Sequence, residues 1–148
     1  MPIDPLRPDL AMSLALDPDA PRAARYHVAQ VDRPSPDLRD AVVLLTSELV
    51  TRAVQHGPPP GDTIELRAWM PADVVRVELR AARHHLEPPE GDHAPDYSLV
   101  LLDELADRWS LDEAGPTARM WFEIDRRRRR AAEAGQPDGA REKSLAAR

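Results

Sequence analysis

Five short segments in which apolar residues alternate with polar ones, and three longer segments of helical periodicity, predict a two-layer α+β sandwich. Their order is strand–helix–helix–strand–strand–helix–strand–strand. That order calls for a mixed, mostly antiparallel sheet with the helices on one face.

The first nine residues carry Pro2, Pro5 and Pro8 and are expected as a flexible arm, ahead of a domain over 10–125. Leu10, Met12, Leu14 and Leu16 alternate with smaller or polar neighbours and form the first strand. Residues 17–21 break it, and Pro21 suits the first turn of a helix running to about Gln30. After a second break, Ser35 or Asp37 is placed to cap the longest helix. There Leu38, Val42, Leu45, Leu49 and Ala53 recur every three or four residues and make one buried stripe. Glu48, Arg52 and His56 fall on a neighbouring face, each one turn beyond the last. Gly57-Pro-Pro-Pro-Gly61 stops the helix.

Residues 63–69 and 74–79 alternate as two strands around the turn Met70-Pro-Ala-Asp73. Residues 84–95 are polar and carry three prolines, and are expected as a loop. Leu99, Leu102, Leu105, Ala106 and Trp109 mark a helix from about Asp96 to Arg108. A last hairpin pairs 109–111 with 118–124 around Glu113-Ala-Gly-Pro116. Trp109 and Trp121 are expected in the core and Trp69 exposed at a strand end. Residues 126–148 are expected as a disordered, Arg-rich tail.

With 148 residues the chain fits one domain, and because aromatics are only 4 %, aliphatic side chains must fill its core. No cysteine is present, which excludes disulfides, thiolate metal sites and cysteine nucleophiles. No apolar run approaches a membrane span and no signal pattern opens the chain, so a cytoplasmic protein is expected. The net charge of −6 divides into +5 for residues 126–148 (eight basic, three acidic) and −11 for the rest (twelve basic, 23 acidic). Such an acidic body repels polyanions, so nucleic acid is not expected as a partner.

The helix segment DAVVLLTSELVTRAVQHG, residues 40–57, contains Glu-Leu-Val-Thr-x-Ala-Val-x-His and resembles the first nucleotide box of the GHKL ATPases. Leu102-Asp-Glu-Leu-Ala-Asp-Arg-Trp109 and Met120-Trp-Phe-Glu123 are similar to the same group, the bacterial anti-sigma factors and serine kinases of partner-switching systems. The resemblance covers roughly residues 10–125. It implies an ATP-binding α+β fold, a sigma factor or anti-sigma antagonist as partner, and the possibility of a homodimer. It also implies a site, whose positions are altered here. Glu48 stands at the general-base position. Arg52 replaces the asparagine that holds Mg²⁺, and a guanidinium has no lone pair to offer a metal. An ion pair of Arg52 with Glu48, one turn away, is the expected use of that charge. Ala81 replaces the aspartate that binds the adenine amino group, and Arg83 the first glycine after it. The segment 92–98 lacks a phosphate-loop glycine and holds Asp92 and Asp96, with Asp96 or Ser98 expected as an N-cap. Arg119 replaces the threonine of the last strand, and His56 reads first as a residue stabilised by the helix C-terminus and second as lining what is left of the pocket.

These substitutions imply a regulatory protein that binds other proteins, with no cofactor and no resident metal. The alternatives are an active ATP- and Mg²⁺-dependent serine/threonine kinase using Glu48, and a DNA-associated regulator using the run Arg126–Arg130. His84, His85 and His93 beside Asp92 suggest a metal, but lacking strict ligand spacing they read as solvated loop residues.

Overall fold

The computed structural model describes residues 3–31, 36–55, 62–86 and 96–126. The elements run β1 (Leu10–Ala15), α1 (Ala20–Val31), α2 (Pro36–Gln55), β2 (Thr63–Trp69), β3 (Val74–Ala82), α3 (Arg83–Leu86), α4 (Tyr97–Leu105), β4 (Arg108–Ala114) and β5 (Thr117–Asp125). Among the described residues the strands form one five-stranded sheet in the order β1-β2-β3-β5-β4. The two-layer α+β sandwich is therefore present, with one correction to its sheet. Every pairing is antiparallel. β3 and β4 run in the same direction, but β5 lies between them, so no parallel pair forms.

Alternation along the strands decides which side is which. Ile64, Leu66, Val75, Val77, Leu79, Met120, Phe122 and Ile124 are buried and join the helices in one hydrophobic cluster. From α1 come Ala24 and Val28, one turn apart; from α2 come Leu38, Val42, Leu45, Leu49 and Ala53, the expected stripe. Each fully buried Leu or Ile contributes about 1.5–3 kcal/mol by leaving water. Val50, Thr46 and Ser47 are buried as well, so α2 is covered on more than its stripe. That fits its position, with α1, α3, α4 and β3 all against it.

The opposite face of the sheet is polar and cross-linked. Arg76 joins Glu78 and Glu123, Arg108 joins Glu123 and Asp125, and Arg119 joins Asp112 and Glu78. Trp121 is on this face, not in the core: the Arg76 guanidinium sits 4.1 Å from its ring centroid, and its Nε1 donates to Asp112. Trp109 is partly buried against the core and donates to Asp103.

Residues 3–9 lie against the end of β2. Asp9 N donates to the Ala68 carbonyl at 2.8 Å, Met70 N to the Asp9 carboxylate at 2.6 Å, and Trp69 Nε1 to the Asp4 carbonyl at 2.8 Å. Trp69 is consequently only 3 % exposed, against the expectation of an exposed indole.

Several boundaries also differ, β4 running to Ala114 rather than Leu111 among them. β3 continues to Ala82 and turns into α3, where a loop was expected. α4 ends at Leu105, because Ala106 is extended at φ −89° and ψ 147° while its N–H still donates to the Leu102 carbonyl. The β4–β5 hairpin turns at Gly115-Pro116, with Gly115 at φ 62°. A positive φ followed by proline is the combination of a type II′ turn, which suits strand twist. Among the described residues no helix is long and apolar enough to cross a membrane.

Candidate functional site

α2 carries the candidate site on the side that meets α3 and α4. Arg52 is in its last turn and is 2 % exposed. Its Nε donates to the Leu86 carbonyl at 2.9 Å, and its Nη1 pairs with the Asp96 carboxylate. A guanidinium at this depth needs such acceptors, since a buried charge without them is strongly disfavoured. The expected pair with Glu48 is therefore corrected: Arg52 points across to the start of α4, and Glu48 has no ion pair among the described residues. The helical one-turn rule fails because Arg52 takes a carboxylate 44 residues away in preference to the equally half-buried local one.

Asp96 occupies the N-cap position of α4, yet its carboxylate makes no cap hydrogen bond and serves Arg52 instead. Only its carbonyl serves the helix, accepting from Val100 N at 3.1 Å. Ser98 does not cap α4 either: its Oγ donates to the Glu48 carbonyl at 3.4 Å. Asp96 and Ser98 together thus fasten α4 along α2. Glu48, Arg52, Asp96 and Ser98 are brought into one neighbourhood. His56, residues 57–61, the loop 87–95 with Asp92 and His93, Ser35, the Asp37 side chain and the tail beyond Arg126 lie outside the described residues.

The strand positions divide. Ala81 is buried at 5 % and pairs in register with Ala118, so both face the helices. Arg119 faces the other way. It lies on the polar side of the sheet, bonded to Asp112 and Glu78, and cannot line a pocket under α2. A one-residue shift along a strand exchanges faces, so Ala118 is the β5 residue beside Ala81. Arg83 is exposed at the start of α3 and pairs with Glu113 at 2.8 Å.

Charge on the polar face is well satisfied. Hydrogen bonds from Ser110 and then Arg119 hold the Asp112 carboxyl below the usual range, and its bond to Asp112 raises Arg119. Bonds to Asp125 and Glu123 likewise raise Arg108. A shallow depression of about 260 Å³ on this face is lined by Arg76, Glu78, Arg119 and Glu123, with Ile3 and Pro5 at its rim.

One group escaped sequence reasoning. His85 is fully buried, with Nε2 2.9 Å from Asp62 Oδ2, instead of solvated in a loop. Register is the signal that could have found it. Glu65 pairs with Arg80, so stepping three residues out sets Asp62 level with Arg83 and beside the histidines that follow.

At the position where the resemblance would put Mg²⁺, Arg52 supplies positive charge paired with the Asp96 carboxylate, which does not suit a cation. Ala81 offers no acceptor to a base. No protein-family model matches this sequence, and no curated protein matches it.

Proposed function

We propose that this protein is a non-catalytic regulator on a GHKL-like scaffold, acting by protein–protein binding in the manner of bacterial anti-sigma factors. Its partner would be a sigma factor or an anti-sigma antagonist. The observation that carries this reading is the buried Arg52–Asp96 pair. It stands at the position where the resemblance calls for a metal-binding amide, and the chain satisfies the charge with its own carboxylate. Glu48 is retained, but a general base with neither metal nor phosphate beside it has nothing to act on.

The test is the melting temperature of the purified protein with and without millimolar Mg²⁺-ATP and Mg²⁺-ADP. A ligand at 100-fold its Kd stabilises by about 2.7 kcal/mol, or about 5–10 °C for a domain of this size. No shift is expected, while co-purification with a sigma factor or antagonist from the same cell is. A Mg²⁺-dependent shift would overturn the loss of the pocket, and the kinase reading would return with Glu48→Ala as its probe.

A further inference from the structure

At the junction of β3 and α3, one residue before the Leu86 carbonyl that holds Arg52, stand three side chains that the proposed function does not use. The register described above brings Asp62, which precedes β2, beside His84 and His85. One candidate ligand atom from each of the three lies within 4.8 Å of the others. His85 is fully buried, His84 is exposed, and their ring centroids are 4.1 Å apart.

His85 is costly where it is. Nδ1 is buried with no hydrogen-bond partner among the described residues, so Asp62 is the ring's one polar contact. A leucine or phenylalanine would fill the volume without an orphaned nitrogen, so packing alone does not account for an imidazole here. The group does have the composition of a metal site. Two imidazoles and one carboxylate are the donors that a zinc-like divalent ion takes, and neutral nitrogen donors disfavour Mg²⁺ and Ca²⁺. Tetrahedral bonds of 2.0–2.1 Å set ligands about 3.3 Å apart. The Asp62–His85 contact at 2.9 Å is a few tenths of an ångström short of that, and His84 is free to swing in from solvent.

We propose that Asp62, His84 and His85 form a binding site for one zinc-like divalent ion, with water in the fourth position. The ion binds between the Asp62 carboxylate and the His85 ring. It pins the start of β2 to the end of β3 and α3. The site is independent of the Arg52 reading, and either can fail alone.

Untagged protein stripped with chelator would be titrated with Zn²⁺ alone by calorimetry, with melting temperatures taken in parallel. Wild type is expected to bind one Zn²⁺ per chain and to melt about 5–10 °C higher at 100-fold the Kd. His84→Ala removes an exposed ligand, and Asp62→Asn keeps an acceptor for His85 while removing the anionic ligand. Both are expected to fold with the melting temperature of the metal-free wild type and to weaken Zn²⁺ by at least about tenfold. His27→Ala, an exposed control on α1, is expected to bind as wild type. No saturable binding by wild type overturns the proposal. So does a His84→Ala variant that binds as tightly as wild type, because the ion would then sit on other histidines.

Discussion

Arg52 shows how a charged side chain in the interior can act as a structural link. Its chemistry was legible from the sequence: a guanidinium cannot ligate a cation. Its partner was not, because local rules look three or four residues away and Asp96 lies 44 residues on. The pair makes a specific prediction. Asp96→Asn leaves Arg52 buried at 2 % exposure with a weaker acceptor, and should cost about 2–3 kcal/mol in urea unfolding. Arg52→Met removes the charge while keeping the volume and should cost clearly less than Asp96→Asn. Equal costs for the two would mean that the ion pair itself, and not the desolvation of the Arg52 charge, supplies the stability.

Strands and helices were more legible than single contacts, because periodicity repeats along them and chance does not. The long aliphatic stripe of α2 needed no tertiary information, nor did the alternation in β1, β2, β3 and β5. What stayed hidden was short or silent. α3 spans only four residues, too few to display a period, and Ala81 and Ala82 extend β3 with side chains too small to mark a face. The resemblance sets Arg119 at the pocket's threonine position, and strand parity places it on the polar face of the sheet. The β4–β5 turn was anticipated from Gly115-Pro116, and its backbone allows a clean test. Nothing lies within 4 Å of a Cβ built on Gly115, so Gly115→Ala meets no clash and reports backbone strain alone. At φ 62° that substitution should cost about 1–2 kcal/mol in thermal or urea unfolding. A neutral result would mean that the turn relaxes to a negative φ.

Taken whole, the molecule has two unlike faces on one sheet. The helix side is an aliphatic core with Phe122 as its fully buried phenyl ring; the other side is a lattice of arginines and carboxylates laid over Trp121. Most of those ion pairs are partly exposed and individually contribute little, but shared partners such as Glu123, which binds both Arg76 and Arg108, hold several side chains at once. The acidic balance of the body was readable from composition. That its cations would be spent in internal pairs on this face was not, since pairing depends on strand register.

The indole of Trp69, closed over by residues 4–9, gives the chain a built-in optical reporter. Of the three tryptophans it alone is buried below a tenth of its surface, so it should supply the blue edge of the fluorescence spectrum and resist iodide. Trp109 and Trp121 remain partly accessible to the quencher. Removing residues 1–9 should shift the emission to the red and add a third quenchable population while far-ultraviolet dichroism stays unchanged. An unaltered spectrum would show that the N-terminal segment does not cover Trp69 in solution.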